Sequence, residues 1–253
     1  MLSFFKKKEF SVTDFSQIGL DMHSHLIPGI DDGSDSMETS LQLIRTLQQL
    51  GYTQLYTTPH VLSDLYPNTK ANILDGLENL KKAVQEAGIN IAIGAAAEYY
   101  MDENFEHIIY NEELLALPNN RVLVEMSFVT APPNLFHYIF KLQTKGYKPI
   151  LAHPERYLFL KKDFAQYSRM KEYGCEFQLN ILSLIGHYGK PVQETAFKLL
   201  KHKMINYLGT DMHHLRHAEL LQQALKDHKV LDILSTYEFE NYKLAESIAA
   251  EKM

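Results

Sequence analysis

The chain has 253 residues, of which 22% are charged, with a formal net charge of −6, twelve histidines and a single cysteine, Cys175. That balance excludes a disulfide framework, leaves no clustered Lys and Arg surface for nucleic acid, and favours nitrogen and oxygen metal ligation over thiolate chemistry. The opening MLSFFKKKEF places its basic residues after a very short apolar patch, the reverse of a secretory signal. No later run approaches about 18 uninterrupted apolar residues, so a soluble, cytoplasmic protein with no transmembrane segment is expected.

In chain order, a loosely patterned leader over residues 1–17 precedes a first strand, IGLDMHSHLI. Strand alternation aligns Asp21, His23 and His25 on one side. The turn that follows, PGIDDG, could fold a carboxylate back toward the two imidazoles. SMETSLQLIRTLQQLG then reads as a helix, with Ser36 as N-cap and Gly51 as the stop. YTQLYTTPH is a second strand ending at His60, and TKANILDGLENLKKAVQEAG a second helix closed by Gly88. INIAIGAAAEYY is a third strand, backed by the weaker helix DENFEHIIYNEEL. RVLVEMSFV, YKPILAHPE, CEFQLNILSL and MINYLGTDMHH supply four more strands. NLFHYIFKLQTKG, FAQYSRMKEYG, PVQETAFKLLKHK and AELLQQALKDH are the remaining helical stretches, before a terminal helix over 234–253. About seven β–α units without a composition break imply one α/β domain over 1–253, a parallel sheet most simply closed as a barrel, with leader and terminal helix as peripheral extensions.

His60, Glu98, Glu125, His153, Asp211 and His213 each fall near the C-terminal end of an apolar strand, the rim where barrels of this kind carry their reactive groups. Alone, His60 or His153 reads as an ordinary part-buried histidine, and Glu125 as a structural partner of Arg121 or Arg156. Recurrence at the same end of nearly every strand favours a shared metal-ligand set. Glu98 follows the small residues GAAA and would be costly to bury without a cation or donor. His107, His137, His202 and His228 lie on or beside helices and read as non-ligands, while His214 and His217 stay open. Tyr99 and Tyr100 read as packing, with one ring able to reach the mouth of the site.

The motifs DMHSHLIPGIDDGS, TTPH, AAAEYY, LVE, AHPER and GTDMHH resemble those of the polymerase-and-histidinol-phosphatase (PHP) superfamily. Within it they are similar to its bacterial tyrosine-phosphatase branch, the CpsB/CapC-like enzymes of capsule and exopolysaccharide systems. The resemblance implies a distorted (β/α)7 TIM-like barrel with up to three divalent ions, Mn²⁺ first and Fe or Zn as alternatives. Carried over by position, His23, His25, Glu98 and Asp211 hold one ion. Glu98, Glu125 and His153 hold a second, and Asp32, His60 and His213 a third. Arg156, His60 and His213 become the catalytic candidates; Arg156, Arg216 and Tyr99 become the substrate contacts. Cations so held acidify a bridging water, and hydroxide attack on the phosphorus of a phosphotyrosine protein, a tyrosine autokinase tail, is the implied reaction. A histidinol-phosphate or other small-metabolite phosphatase is the alternative, with a nuclease behind it. Cys175 begins a strand outside any nucleophile signature, which argues against a cysteine phosphatase.

Overall fold

The computed structural model describes residues 12–251, with side chains to 247. The strands are β1 (Leu20–Asp21), β2 (Gln54–Thr57), β3 (His60–Val61), β4 (Ala92–Ala95), β5 (Glu98–Tyr100), β6 (Arg121–Glu125), β7 (Lys148–Ala152), β8 (Glu176–Asn180) and β9 (Tyr207–Gly209). The helices are α1 (Met37–Gln49), α2 (Lys70–Glu86), α3 (Phe105–Asn111), α4 (Leu135–Thr144), α5 (Ala165–Glu172), α6 (Ile181–Leu184), α7 (Lys190–Lys201), α8 (Leu215–Ala224), α9 (His228–Thr236) and α10 (Asn241–Glu251). Ser36 caps α1 by accepting from the Thr39 N–H, and Thr69 opens α2 with a reciprocal capping box through Asn72. Among the described residues no helix is long and apolar enough to cross a membrane.

Every strand pairing is parallel, in a three-stranded sheet β1-β2-β4 and a six-stranded sheet β3-β5-β6-β7-β8-β9. Two expected strands are therefore each broken in two. Pro59 has no N–H to extend the ladder, so β2 yields to β3 across Thr58 and Pro59. β4 yields to β5 across Ala96 and Ala97 at the same level. The halves stay joined, because Ala96 N–H donates to Thr57 O at 2.9 Å and Glu98 N–H to Pro59 O at 3.0 Å. The chain beyond β9 then meets the chain beyond β1. Asp211 N–H donates to His23 O and His25 N–H to Met212 O, both at 2.8 Å.

Nearer their N-terminal ends, β1 and β9 are bridged by a side chain instead of a ladder. The buried Asn241 amide donates to Leu20 O at 3.0 Å and Leu208 O at 2.8 Å, and accepts from Leu208 N–H at 3.0 Å. Leu244, one turn further along α10, packs with Leu20, Met22, Leu123, Ile150 and Tyr207 in a small inner cluster. The larger apolar cluster includes residues of the strands and the surrounding helices.

Three expectations need correction. The terminal segment is not one peripheral helix: α9 and α10 are separated by residues 237–240, and α10 is bound into the strand ring by Asn241 and Leu244. The expected leader lies partly outside the described residues, but from Val12 onward it packs, with Phe15 fully buried and stacked on Tyr52. CEFQLNILSL is a strand only to Asn180, whose side chain accepts from Leu182 N–H and starts α6. Below His23 and His25, the Asp21 carboxylate accepts from Thr210 N–H at 3.0 Å and Thr210 Oγ1 at 2.6 Å.

Asn241→Ala leaves three buried backbone groups without partners, each costing about 1–3 kcal/mol. Urea unfolding should show a loss of ~3 kcal/mol or more; a loss below ~1 kcal/mol would mean that the amide bridge is not what joins β1 to β9.

Candidate metal centre

All nine residues expected as ligands come together above the strand ends. His25, Asp32, His60 and His213 offer donor atoms within 4.8 Å of one another, as do His23, Glu98 and His153; His23, His25 and Asp211; and His60, Glu98 and Glu125. The groups overlap. His25 stands with Asp32, His60 and His213 as well as with His23, and His60 Nδ1 lies 3.2 Å from Glu98 Oε2 and 2.9 Å from Glu125 Oε1. Glu98 is the hub, with His23 Nε2 at 3.1 Å, His25 Nε2 at 3.5 Å and His153 Nε2 at 3.2 Å.

The local chain explains this convergence. Gly209 leaves room for His23, since a Cβ there would collide with Gln178 and crowd the imidazole's own Cβ. Gly33 lets the DDG turn close on the first strand, where any side chain would strike His25. His153 and Asp211 adopt left-handed backbone, φ 34° and 51°. For a non-glycine residue this costs about 1–3 kcal/mol and is held in place only by the surrounding structure.

Second partners orient the rings. His23 Nδ1 lies 2.8 Å from Gln178 Oε1 and His25 Nδ1 2.7 Å from Asp31 Oδ2, so each ring donates there and turns the lone pair of Nε2 inward. Those two Nε2 atoms are only 3.3 Å apart, with Asp211 Oδ1 at 3.4 and 3.5 Å and Glu98 Oε2 close by. Two imidazole nitrogens and two carboxylate oxygens, all buried, face one another. Such a group is stable only around a cation or with protons taken up. Ligand atoms about 2.0–2.2 Å from a shared ion lie roughly 3 Å or slightly more from one another, which is the spacing here. His153 Nδ1 is buried without a hydrogen-bond partner.

Without an ion, protons carry the compensation. Burial alone would lower the His60 pKa, but Glu98, Asp32 and Glu125 outweigh it and raise it to about 10. His23 and His25 are likewise raised against burial, His23 by Glu98 and Asp211 and His25 by Asp31 and Asp211. Glu98 and Asp211 are held well below the usual carboxylate range despite burial, chiefly by His23. His153 goes the other way, lowered by burial and by Arg156.

A cavity of about 300 Å³ opens over the cluster, lined by Asp32, His60, Glu125, His153, Asp211 and His213 together with Arg156, Phe128, Tyr188, His214 and His217. Arg156 Nη1 donates to Asp211 Oδ2 at 3.1 Å, and its guanidinium lies 4.4 Å from the Phe128 ring centroid and 4.3 Å from that of Tyr188. The other two proposed substrate contacts do not line it. Tyr99 alternates to the opposite strand face from Glu98, is 4% exposed, and accepts the Leu115 N–H at 2.7 Å. Arg216 is exposed on α8. Arg121 does not pair with Glu125 but with Glu176 at 2.7 Å. Of the two histidines left open, both reach the cavity wall; His217 is buried and held near pKa 3 by burial and by His214. Gln178, Phe128 and Tyr188 carried no signal in the sequence, whereas the turn expected to fold a carboxylate back does so with Asp31, on His25 Nδ1.

The profile of a family described as capsular polysaccharide synthesis, CpsB/CapC, matches residues 19–227. The chain belongs to the CpsB/CapC family. It is 26% identical over 198 residues to the tyrosine-protein phosphatase YwqE of Bacillus subtilis, covering 78% of each chain. It is also 26% identical over 215 residues to the putative tyrosine-protein phosphatase CapC of Staphylococcus aureus, covering 83% of this chain and 84% of that one. A crystal structure from work on YwqE of Bacillus subtilis and CpsB of Streptococcus pneumoniae, described as unique metal-dependent tyrosine phosphatases, superposes with a TM-score of 0.79. The two are 25% identical, and the match covers 90% of this chain and 91% of that one. The lactonase Lmo2620 of Listeria monocytogenes, 13% identical at a TM-score of 0.51 over 92% of this chain and 93% of that one, shares the fold alone.

Asp31→Ala should weaken Mn²⁺ binding about 10–100-fold by freeing the His25 ring, as seen by titration calorimetry; unchanged affinity would remove Asp31 from the ion-holding apparatus. Because His60, His23 and His25 hold protons in the ion-free protein, loading must expel them. Affinity should therefore rise as pH climbs toward about 10. Calorimetry in buffers of different ionisation enthalpy should register net proton release, and a pH-independent affinity would contradict the assignment.

Proposed function

We propose that the chain is a metal-dependent tyrosine-protein phosphatase that acts on the phosphotyrosine tail of a tyrosine autokinase in capsule or exopolysaccharide synthesis. The observation that carries this reading is the convergence of histidine and carboxylate donor atoms beside a fixed arginine at the floor of an open cavity. The ligand chemistry fits divalent cations with mixed nitrogen and oxygen preference, Mn²⁺ first and Fe or Zn as alternatives. His23, His25, Glu98 and Asp211 would hold one ion, Glu98, Glu125 and His153 a second, and Asp32, His60 and His213 a third. Such cations would supply acidification of water to about pH 7 and neutralisation of phosphoryl charge.

The protein's own groups do the rest. Arg156 binds the phosphate: its fork is pre-set by Asp211 on one side and two aromatic faces, so two phosphate oxygens can be received with little loss of side-chain freedom. His60 and His213 are the half-buried histidines on the open side, with their Nε2 atoms 3.4 and 3.5 Å from Asp32 Oδ1. His213 Nδ1 faces the Asp211 carbonyl at 2.9 Å, and that bond aims Nε2 at the cavity. A phenol of pKa about 10 leaves more readily than an aliphatic alcohol, so phosphotyrosine asks little of a general acid. The names of the relatives support the substrate class.

The decisive assay is phosphate release from a phosphotyrosine peptide by chelator-treated protein with and without added Mn²⁺, beside histidinol phosphate. Release should depend on Mn²⁺ and favour the peptide in kcat/KM, while His23→Ala should lose at least ~100-fold. Full activity in His23→Ala, or none in the wild type, would defeat the proposal. Cys175 is buried and its thiol is pushed up to about 12 by burial. Cys175→Ser should therefore keep wild-type turnover, and a dead but folded variant would reopen cysteine chemistry.

A further inference from the structure

We infer that Phe128 selects aromatic over aliphatic phosphate esters by contacting the ring of the leaving group; this rests on the phosphatase reading above. Phe128 follows β6 on the loop leading to α4 and keeps 46% of its surface exposed while lining the cavity. An isolated exposed phenylalanine means little, but this one is built in. Its ring stacks on Tyr157 at 5.6 Å and 24°, Tyr157 is fully buried, and the Tyr157 hydroxyl accepts from the N–H of Met126, where the same loop begins. The loop and the ring's support are thus tied together, and the ring is positioned before any ligand arrives, which reduces the ordering cost of binding.

Its neighbour is the anion-binding group. Arg156 lies 4.4 Å from the Phe128 centroid, so an apolar surface and a phosphate fork share one wall. The first carbon of a phosphate ester is two bonds from phosphorus. A phosphoryl group drawn to Arg156 and the ligand cluster therefore brings its ester substituent alongside Phe128. An aryl substituent gains an edge or offset ring contact there. A small hydroxylated alkyl group gains none. Tyr188, on the other side of Arg156, is set deeper and has its hydroxyl tied to the Asn180 amide, while Asp32, His214 and His217 offer polar groups.

The test separates this inference from turnover. The Mn²⁺-loaded full-length protein is titrated calorimetrically with phenylphosphonate and with methylphosphonate, neither of which can be hydrolysed. Wild type should bind phenylphosphonate about tenfold more tightly, Phe128→Ala should erase that preference, and Phe128→Trp should retain it. Should Phe128→Ala fail to fold, Phe128→Leu is read in its place and should bind phenylphosphonate less tightly while leaving methylphosphonate unchanged. Equal binding of the two phosphonates by wild type overturns the inference. So does a variant that weakens both alike, which would mark Phe128 as mere support for Arg156 and His153. If wild type discriminates between them but releases no phosphate from a phosphotyrosine peptide, the inference stands and the phosphatase reading falls.

Discussion

The structure depends on one electrostatic constraint: His23 Nε2, His25 Nε2, Glu98 Oε2 and Asp211 Oδ1 are buried within a few ångströms of each other with their lone pairs turned inward. Hydrogen bonds from the far side of each ring, to Gln178 and Asp31, prevent either histidine from turning away. Burial makes uncompensated charge expensive, so the cluster must hold protons or cations, and the same carboxylates that raise His60 suit the cluster to a cation.

Holding that cluster shapes the strands around it. The second and third strands are each interrupted just below His60 and Glu98, and the ladder resumes so that those two residues pair directly, His60 opposite Glu98. β8 presents Glu176, Gln178 and Asn180 at alternate positions. Glu176 ties Arg121 and Tyr207, Gln178 orients His23, and Asn180 donates to Asp211 at 2.9 Å. Left-handed backbone at His153 and Asp211 is a further local cost borne at the site, offset by the packing of the rest of the chain. On the open side, Arg156 and Phe128 bring a charged and an apolar surface to the same wall.

Strand alternation and strand-end spacing made eight of the nine ligand candidates legible in the sequence, because alternation and the recurrence of His, Glu and Asp at the ends of apolar runs are local signals; Asp32, in the turn, came from the resemblance. The helices with clear stops, α1 and α2, were legible for the same reason. Less was readable where the chain's local pattern did not change: CEFQLNILSL is uniformly apolar-rich, and only the Asn180 cap turns it into a helix. The adjoining Tyr99 illustrates the opposite error. Proximity in sequence to Glu98 put it at the site, and strand alternation put its ring on the other face.

Residue types and their periodicity were therefore enough to give the α/β order of elements and most of the candidate ligating side chains, while the resemblance to a known family supplied Asp32 and the kind of chemistry. Tertiary structure alone decided which donor atoms lie close together, that Asp31 and Gln178 fix the rings, that Phe128 stands against Arg156, and that α10 binds β1 to β9 through Asn241. The reason is physical. Periodicity records which way a side chain leaves its own strand or helix, whereas these contacts join residues up to 221 positions apart, whose meeting depends on how the strands are broken, twisted and brought round.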